Sequence, residues 1–489
     1  MDALQLGAKL MGSPTSGPLL DAGTRLFFSD AARTMIVRAA DSYVRRKLDA
    51  NERAASPWRR IQRERLLMAR TALHTVDRLA ARRALSRPLA RRVVETWGRA
   101  FFLPPEKQPV GLRFKAERGC APPFFIVIGP GHACNLGCAG CYANSGESAA
   151  RLPWPMLDRI IAEAREQWGI PLVVFSGGEP LAYRSEGKGV LDVVEKHPDC
   201  MYLMFTNGTL IDQQTAARMA RLKTLTPAVS VEGLRERTEE RRGAGVFDRI
   251  LRAMDCLGEA GVPFGVSVTA TRSNCDEVLS DEFLDFFFGE RGAFYGFLFH
   301  YMPIGRSATL QRMPTPEQRI RLWRRTWEVI ENRRIFLFDF WNSGPLAQGC
   351  VSAGREGGYI YIDWNGKVMP CVFAPYSAAN IHEVYARGGT LDDVWSAPFF
   401  QAIRRWQNDY GYGRAPSDDG NWLRPCPIRD HHALFREWVD AHHPEPEDEA
   451  AAQALRDEGY YKGLVAYGKD LAEFSQDVWE EEYCCFPKS

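Results

Sequence analysis

Three cysteines within eight residues are the clearest chemical signal in this chain of 489 residues. They lie in the segment Cys134-Asn-Leu-Gly-Cys138-Ala-Gly-Cys141. Three thiolates on a short glycine-containing loop can bind three corners of one iron–sulfur cube, which leaves the fourth iron open to a substrate or cofactor. Structural zinc is the alternative, although it prefers paired Cys-x-x-Cys knuckles and a fourth ligand. The spacing therefore favours a cluster with one open coordination position.

The cysteine loop follows the first of six predicted β-strands. Apolar strands and amphipathic helices alternate from about residue 120 to about residue 300, which predicts a parallel sheet with right-handed crossovers. We therefore expect an α/β fold built on a partial (β/α)6 barrel, with its chemistry at the carboxyl ends of the strands. The predicted strands are 124–128, 172–176, 202–206, 228–231, 265–269 and 293–300. The predicted helices between them are 155–168, 189–196, 213–222, 246–260 and 279–289.

Glycine-containing or polar motifs follow the second to fifth strands. In chain order they are Ser176-Gly177-Gly178-Glu179-Pro180, Thr206-Asn207-Gly208-Thr209, Ser230-Val231-Glu232-Gly233 and Ser267-Val268-Thr269. The sixth strand is followed by Tyr301-Met302-Pro303-Ile304-Gly305. Each motif is weak evidence alone, but a cysteine triad in register with the ends of strands two to six is specific. Together they resemble the radical S-adenosylmethionine (radical SAM) superfamily over about residues 120–440, and the resemblance implies the partial barrel of that family.

The resemblance also implies a binding site for S-adenosylmethionine (SAM) beside the cluster. In the family, the backbone of the Gly-Gly-Glu-Pro segment holds the methionine amino group, and polar residues after later strands contact the ribose and methionine. An aromatic residue usually precedes the third cysteine and touches the adenine. Here that position is Gly140, and we expect Tyr142 to stack on the adenine instead. The implied SAM-binding residues are Tyr142, Gly177, Gly178, Glu179, Pro180, Asn207, Ser230, Glu232 and Ser267.

A reductive mechanism follows from the same resemblance. A reduced 4Fe-4S cluster on Cys134, Cys138 and Cys141 passes one electron to the sulfonium of SAM, and the resulting 5′-deoxyadenosyl radical abstracts hydrogen from an unactivated carbon. The cofactor supplies this chemistry, whereas the protein supplies position and excludes water. A low-potential electron donor of the flavodoxin or ferredoxin type is the expected partner. The non-catalytic alternative is an iron–sulfur protein that transfers electrons or regulates.

A second cysteine pair surrounds a predicted β-hairpin. Cys350 and Cys371 are separated by 15 residues, Gly366 and four further residues, which resembles the first half of the auxiliary-cluster domain called SPASM. The pair Asn365-Gly366 between apolar residues is a strong hairpin signal. We therefore expect a small SPASM-like domain after the barrel.

The second half of that domain is reduced to one cysteine, Cys426. We expect one auxiliary cluster on Cys350, Cys371 and Cys426. Its fourth ligand could come from the substrate or from one of three side chains, namely Asp430, His431 and Cys484. The alternative is that these cysteines bind no metal. No side chain is assigned as a catalytic acid or base, and the residues that could face the pocket are His300, Tyr301, Asp339 and Trp341.

Composition and charge exclude several classes of protein. Apolar residues make up 45% and charged residues 25% of the chain, which is typical of a globular protein and excludes a disordered or collagen-like one. Lys and Arg total 62 against 61 acidic residues, so we expect no nucleic-acid partner. No apolar run approaches the roughly 18 residues of a membrane helix, and no secretory signal is evident. We therefore expect a cytoplasmic protein.

Positive charge is concentrated near the start of the chain. Residues 31–100 contain 18 Lys and Arg against 6 acidic residues, and their apolar residues have helical spacing. These helices either cap the barrel with solvated arginines or meet anionic lipid at the inner face of the membrane. The expected organisation is a basic helical region (1–110), the barrel (111–340), the SPASM-like domain (341–441) and an acidic linker with a helical tail (442–489).

Two substrate classes are consistent with these features. The basic helices favour a lipid or other hydrophobic substrate at the membrane surface, whereas many SPASM-bearing relatives modify ribosomal peptides. Peptide maturases often carry a winged-helix module that binds the leader peptide, and the Arg-rich stretch shows no strand–strand wing. The first hypothesis is therefore a hydrophobic substrate, and the alternative is a peptide.

Overall fold

The computed structural model describes residues 27–54, 56–82, 109–416 and 420–484. The strands are β1 Phe125–Ile128, β2 Leu172–Phe175, β3 Met201–Thr206, β4 Leu225–Val231, β5 Gly265–Ala270, β6 Tyr295–His300, β7 Phe336–Asp339, β8 Tyr359–Ile362, β9 Lys367–Met369, β10 Tyr376–Ser377, β11 Ala379–Asn380 and β12 Glu445–Pro446. The helices are α1 Asp30–Glu52, α2 Arg59–Ala81, α3 Pro109–Arg118, α4 Trp154–Glu163, α5 Val190–Lys196, α6 Gln213–Leu222, α7 Arg235–Arg242, α8 Val246–Glu259, α9 Asp281–Leu284, α10 Pro316–Glu328, α11 Gly344–Ala347, α12 Ile381–Ala386, α13 Leu391–Trp395, α14 Pro398–Asp409, α15 Pro427–Asp430, α16 His432–His442, α17 Glu449–Arg456 and α18 Glu458–Trp479.

One sheet organises the barrel. Across the described residues its order is β11-β9-β8-β1-β2-β3-β4-β5-β6-β7, and the pairs from β8 through β1 to β7 are all parallel. The six predicted strands are confirmed, with ends that shift by at most three residues. Because β1 to β7 are parallel neighbours, their carboxyl ends lie at one edge of the sheet, which is where barrels of this kind hold their chemistry.

The sheet extends beyond the six predicted strands on both sides. The sequence prediction missed β7, whose residues Phe336–Asp339 pair with β6. On the other side, the predicted hairpin is confirmed: β8 and β9 pair antiparallel around Gly366, which has φ +76°. Asp363 closes the turn because its Oδ1 accepts the backbone N–H groups of Asn365 (2.9 Å) and Lys367 (2.8 Å). This hairpin joins the barrel sheet beside β1, which brings its flanking cysteines to the cysteine loop.

The strands separate two apolar cores. Alternate side chains of a strand point to opposite faces, so Val127 of β1 belongs to the inner cluster while Ile126 and Ile128 pack among the surrounding helices. The inner cluster consists of Val127, Val174, Leu203, Ala228, Tyr359, Tyr361 and Met369. The outer helices bury one stripe each, as α8 does with Ile250 and Leu257.

Two long helices form the described part of the basic N-terminal region. Helices α1 and α2 pack on each other, and the rest of the region (residues 1–26 and 83–108) lies outside the described residues. Their arginines are largely paired rather than solvated. Asp41 of α1 accepts from Arg45 (2.7 Å), Arg70 (2.6 Å) and His74 (2.9 Å), and Arg78 donates to a backbone carbonyl of the barrel. Within the described ranges, no helix has the length and apolar character that crossing a bilayer needs.

A buried carboxyl group connects α2 to the end of the chain. Glu64 is completely buried, and its Oε1 accepts from Arg60 Nε (3.0 Å) and from the Tyr483 hydroxyl (2.5 Å). Burial raises the pKa of Glu64 to about 7, despite the nearby Arg60. The same region holds Arg63, which pairs with Glu331. Glu64 therefore joins α2 to the C-terminal tail, and Arg63 joins α2 to the barrel.

The raised pKa of Glu64 predicts a pH-dependent stability. In the unfolded chain this carboxyl ionises near 4.5, so the folded protein holds a proton that the unfolded chain has lost between pH 4.5 and pH 7. Stability should therefore fall as the pH rises through this window. Gln cannot ionise, so Glu64→Gln should remove this pH-dependent contribution to stability. The difference in unfolding free energy between the variant and wild type should therefore change by up to about 3 kcal/mol across this pH window. Urea unfolding midpoints at pH values of about 5 and about 8 measure it.

The matched control is Glu331→Gln, which also removes a partner of an α2 arginine. Glu331 is partly exposed, so this variant reports the cost of losing an ion pair in water. If Glu64→Gln and wild type show the same pH dependence, Glu64 is not the group responsible.

Candidate active site

A cavity of about 600 Å³ runs along the inside of the barrel and reaches the carboxyl ends of the strands. It brings together most of the residues that the sequence predicts for the cluster and for SAM. The predicted residues that line it are Cys134, Cys138, Cys141, Tyr142, Gly177, Gly178, Glu179, Asn207, Ser230, Ser267, Cys350, Cys371 and Cys426. Pro180 and Glu232 are buried but are not part of this lining.

Arginine side chains hold the carbonyl groups of the cysteine loop. Arg241 donates from Nε to Ala139 O (3.0 Å) and from Nη2 to Gly140 O (3.2 Å). Arg306 donates from Nη1 to Cys138 O (3.3 Å). These guanidinium groups fix the loop and place positive charge beside it.

The carboxylate of Glu232 positions Arg241 and its neighbour Arg242. Glu232 is 1% exposed and binds Arg241 (2.6 Å) and the Nε of Arg242 (2.9 Å). Both arginines line the cavity, whereas Glu232, which the resemblance implied as a SAM contact, lies behind them. Sequence reasoning missed the two arginines. The available signal was an adjacent Arg pair at the end of α7, directly after β4.

The Gly-Gly-Glu-Pro segment packs directly against the chain that leads into the cysteine loop. Gly177 has φ +96°, a conformation that favours glycine, and the backbone N–H of Glu179 donates to Ala133 O (2.8 Å). A Cβ atom on Gly178 would lie 2.3 Å from Ala133 O and 2.6 Å from His132 O. Only glycine at position 178 allows this close approach of two backbones.

Glu179 joins the ends of β2 and β3. Its Oε1 accepts from the Leu181 N–H (3.0 Å) and the Thr206 hydroxyl (2.8 Å), and its Oε2 accepts from the Asn207 N–H (2.8 Å). Burial raises the pKa of Glu179, and these hydrogen bonds oppose that rise. The carboxyl group therefore fixes the loop in addition to lining the cavity.

Three further predicted residues lie at the following strand ends. The Asn207 side chain donates to Asn135 Oδ1 (2.9 Å) and lies 3.7 Å from Cys134 Sγ. The hydroxyl groups of Ser230 and Ser267 are hydrogen-bonded at 3.0 Å. Asn207 thus contacts the cysteine loop directly, and the two serines present a joint polar spot to the cavity.

The Tyr142 hydroxyl is bound to the glycine segment. It lies 2.6 Å from Ser176 Oγ and accepts the Gly177 N–H at 2.9 Å. Burial raises the pKa of Tyr142, so the phenol stays protonated, and either hydroxyl can donate in its bond with Ser176. The space beside Gly140 is occupied, since a Cβ there would lie 2.8 Å from the Tyr301 ring. Stacking of Tyr142 on adenine stays a prediction, and the contacts give this residue a positioning role.

Cys350, Cys371 and Cys426 line the same cavity as the cysteine loop. The Cys371 sulfur lies 3.0 Å from the Tyr359 hydroxyl, and the Cys350 thiol donates to Ser352 Oγ at 3.2 Å. Burial raises the pKa of all three thiols, to about 12 for Cys426. Buried thiols of this kind lose their protons when a metal binds, so the three residues fit an auxiliary cluster.

The side chains predicted as its fourth ligand are engaged elsewhere. Asp430 binds Arg319 (2.8 Å) and Arg429 (3.0 Å), and all three side chains are completely buried. Burial alone would raise the pKa of Asp430, but these arginines hold it well below its usual range. His431 Nε2 and Cys484 Sγ lie 2.9 Å and 3.4 Å from backbone carbonyl oxygens. These contacts therefore do not support Asp430, His431 or Cys484 as the fourth ligand of the auxiliary cluster.

Aromatic side chains form the remaining wall of the cavity. We call them the aromatic wall, and they are Phe205, Phe297, Phe299, Phe338, Phe340 and Phe373. They contact one another, as the 5.2 Å between the ring centres of Phe205 and Phe299 shows. The four pocket candidates His300, Tyr301, Asp339 and Trp341 also line the cavity. The cavity is thus polar beside the cysteine loop and apolar inside the barrel.

The donor set fits the two groups that the sequence implies. Burial raises the pKa of the Cys134 thiol to about 11, so its thiolate, like those of the auxiliary cysteines, needs a cation. Among the described side chains, no three His, Cys, Asp or Glu meet closely enough for a single metal ion, whereas a cluster spreads its ligands over several irons. Glycine backbone, Asn207 and two serines surround the cysteine loop with the small polar groups that a SAM molecule needs.

Two family models match this chain. The model of the radical SAM superfamily matches residues 128–273. A second model, described as an iron–sulfur cluster-binding domain and named SPASM, matches residues 350–417. The first match contains the cysteine loop and the strand-end motifs. The second contains Cys350 and Cys371 and ends before Cys426.

Curated relatives extend the similarity across most of their own length. The chain is 30% identical over 313 residues to mycofactocin maturase MftC of Mycolicibacterium smegmatis, covering 60% of this chain and 75% of that protein. It is 26% identical over 300 residues to the AdoMet-dependent heme synthase of Methanosarcina barkeri, covering 55% of this chain and 82% of that protein.

Solved structures share the fold at lower identity. SuiB of Streptococcus suis, bound to the precursor peptide SuiA, matches with a TM-score of 0.50 at 20% identity, covering 60% of this chain and 70% of that one. The enzyme anSMEcpe, with bound AdoMet and the Cp18Cys peptide, matches with a TM-score of 0.51 at 18% identity, covering 74% and 99% of the respective chains. These similarities support the partial barrel described above.

Proposed function

The chain belongs to the radical SAM superfamily and is an enzyme that uses a 4Fe-4S cluster and SAM, and from that premise we propose that it is a maturase that modifies a peptide. The observation that carries the proposal is one cavity lined by both groups of cysteines, in a chain 30% identical to a maturase over 75% of that relative. SuiB and anSMEcpe, which share the fold, have been solved with peptides bound.

The cavity suits a peptide side chain more than a whole lipid. At about 600 Å³ it has the size of a site for a small molecule or for one or two side chains. The aromatic wall would receive an apolar side chain of the peptide, and the polar end beside the cysteine loop would receive SAM. The carbon to be attacked would then lie between the two, which is the position that the reaction requires.

The cluster and SAM together supply a 5′-deoxyadenosyl radical that removes hydrogen from an unactivated carbon. The chain's own residues position these groups and exclude water. Glu179 and Tyr142 hold the glycine segment, while Glu232 holds Arg241, which fixes the cysteine loop. The aromatic wall keeps the interior dry, which protects a reactive intermediate from side reactions. An external low-potential electron donor stays a prediction.

The hydrophobic or lipid substrate was the first hypothesis of the sequence, and the comparisons support the peptide alternative better. The lipid hypothesis rested on the basic helices, but several of their arginines donate hydrogen bonds to Asp41 or to neighbouring backbone carbonyl groups. Peripheral membrane contact through α1 and α2 stays a prediction that a vesicle experiment can test.

The proposed function is tested by measuring which fraction of a host extract accelerates SAM cleavage. The anaerobically reconstituted, reduced protein is incubated with the low-molecular-weight peptide fraction or with vesicles of host lipid. We expect the peptide fraction to increase 5′-deoxyadenosine formation by about 10-fold or more, because binding energy of the substrate assembles the reactive site, and protease treatment should remove the effect. Mass spectrometry then identifies the altered peptide. Acceleration by the vesicles alone would overturn the proposal in favour of the lipid hypothesis.

A further inference from the structure

The active-site cavity extends along the inside of the barrel, away from the cysteine loop. Phe205 and Phe299 line it near the carboxyl ends of their strands, whereas Tyr295 and Phe336 line it at the first residues of β6 and β7. From Phe299 to Tyr295 the strand spans four residues, or about 13 Å. We call the part of the cavity between Phe297 and the strand starts the inner chamber, and its lining consists of Phe125, Leu172, Met201, Thr226, Tyr295 and Phe336.

The inward side chains of β6 keep part of their apolar surface uncovered. Tyr295, Phe297 and Phe299 alternate along the strand with buried residues and are themselves partly exposed, although they lie inside the barrel and line its cavity. The interior of a closed barrel is normally filled by layers of such side chains. An apolar cavity that is left open stays dry and binds apolar molecules. The inner chamber therefore suits an apolar group of a ligand.

The polar groups of the inner chamber are bound to other parts of the chain. The Tyr295 hydroxyl donates to Pro227 O (3.1 Å) and lies 2.8 Å from Thr226 Oγ1, and Thr226 donates to Pro263 O (2.9 Å). Of the six lining residues, all within the described ranges, none is charged and none has a buried side-chain oxygen without a partner. A polar group of a ligand would compete for partners that are already engaged, so the chamber favours an apolar one.

Tyr295 limits the size of the inner chamber. Its ring lies against the backbone of β5, since a Cβ atom on Gly265 would lie 2.2 Å from the ring, and its hydroxyl reaches β4. Glycine at position 265 therefore makes room for this ring. Tyr295 also packs against Leu79 and Phe294, where α2 contacts the barrel. The ring is thus held across three neighbouring strands and forms a fixed end of the chamber.

The depth and the lining of the chamber favour a phenylalanine side chain. A peptide backbone carries polar groups that need partners, so it would stay near the polar end, at the level of Phe299. The Phe297 ring lies two residues further along β6, or about 7 Å deeper, which only large side chains reach. Phe297 stacks on Phe338 at 5.3 Å and meets Phe205 edge to face at 5.4 Å. Aromatic rings pair favourably in both arrangements, so a ring without a polar tip fits best.

We propose that the inner chamber is the specificity pocket of this enzyme, that it receives a phenylalanine side chain of the substrate peptide, and that Tyr295 sets the size of the side chain it accepts; this inference rests on the proposed function. The ring of the substrate would lie against Phe297 and Phe338, with its edge towards Tyr295. Its backbone would stay beside the residues predicted to bind SAM. Tyr295 determines specificity in this proposal and takes no part in the chemistry.

Binding of N-acetylated amino acid amides tests the pocket before any peptide is identified. Equilibrium dialysis of the anaerobic, cluster-loaded protein gives dissociation constants for the amides of phenylalanine, alanine, lysine and 2-naphthylalanine. The same measurement on 1-decanol represents a lipid chain. We expect the phenylalanine amide to bind at least about 10-fold more tightly than the alanine and lysine amides, because only its side chain buries an apolar ring.

Tyr295→Ala should change the size preference of the pocket. The chamber becomes larger while Thr226 keeps its hydrogen bond to Pro263 O. The phenylalanine amide should bind about 10-fold more weakly and the 2-naphthylalanine amide about 10-fold more tightly than in wild type, so the ratio of the two affinities changes by about 100-fold. Tyr295→Phe keeps the ring and should change that ratio by less than about three-fold.

The matched control is Tyr385→Ala. Tyr385 is partly buried and donates to Glu163 (3.0 Å), but it does not line the cavity. This variant should bind all five probes as wild type does. A general structural defect would weaken both aromatic ligands together, whereas a change in pocket size moves their affinities in opposite directions.

Equal affinities of the phenylalanine and alanine amides in wild type would overturn this inference. So would an unchanged affinity ratio in Tyr295→Ala, or binding of 1-decanol that is tighter than binding of the phenylalanine amide. The proposed function is tested separately, because the amides bind as expected even if wild type modifies no peptide of the extract. A modified peptide without phenylalanine at or next to the altered residue would refute this inference and leave the proposed function standing.

Discussion

Replacing Cys138 by Ala is expected to reduce 5′-deoxyadenosine formation to the level without protein, a loss of at least about 1,000-fold. Cys138 lies between Cys134 and Cys141 on a loop whose carbonyls are held by Arg241 and Arg306. Two remaining thiolates cannot hold three corners of a cluster, so the iron to which SAM would bind has no fixed position. Iron content, the electron paramagnetic resonance signal of the reduced protein and chromatography of the nucleoside product measure the effect.

The matched control for this variant is Cys256→Ala. Cys256 lies on α8, is partly buried and is not among the cavity residues, so its loss should change neither iron content nor activity. Retention of full activity by Cys138→Ala, with unchanged iron content, would contradict the assignment of the first cluster to this loop.

The second large effect is expected for Gly178→Ala. The added Cβ would lie 2.3 Å and 2.6 Å from backbone oxygens of Ala133 and His132, and backbone atoms cannot move aside as a side-chain end can. The glycine segment would have to shift away from the cysteine loop, at a cost of about 1–3 kcal/mol. Because that segment would form one wall of the predicted SAM site, affinity for SAM should fall by about 10- to 100-fold. Anaerobic titration calorimetry of the cluster-loaded protein measures the change.

A second glycine substitution shows whether the effect is specific. Gly258 lies in α8, and no heavy atom lies within 4 Å of the position of an added Cβ. Gly258→Ala should leave SAM affinity unchanged and stabilise the helix by about 0.5–1 kcal/mol. Equal SAM affinity in Gly178→Ala and wild type would mean that the glycine segment does not contact the cofactor in the way proposed.

Several features follow from local sequence because their causes are local. The cysteine spacing needs only one loop, and the hairpin at Asn365-Gly366 needs only a turn with a positive φ at the glycine. The six predicted strands followed from alternation of apolar strands with amphipathic helices, which fixes a parallel sheet through the handedness of the crossovers. β7 was missed, although at four residues it is as long as β1 and β2.

The sequence did not predict which side chains from different elements contact one another. The Arg pair that follows Glu232 in the chain does not by itself show that Arg241 and Arg242, rather than a cofactor, bind its carboxylate. The basic N-terminal helices were expected to face solvent or lipid, yet Asp41 draws together three basic groups from two helices. In both cases burial decides the outcome, because a charge removed from water must find a partner.

By itself, the sequence determined the superfamily, the barrel, the cysteine loop and the hairpin, since each depends on spacing within one segment. Only the tertiary structure decided that the hairpin joins the barrel sheet beside β1, which places Cys350 and Cys371 in the cavity of the first cysteine loop. It also decided that His300 and Asp339, separated by 39 positions, meet at neighbouring strand ends. Sheet order sets these contacts, and sheet order results from packing over the whole chain rather than from any local pattern.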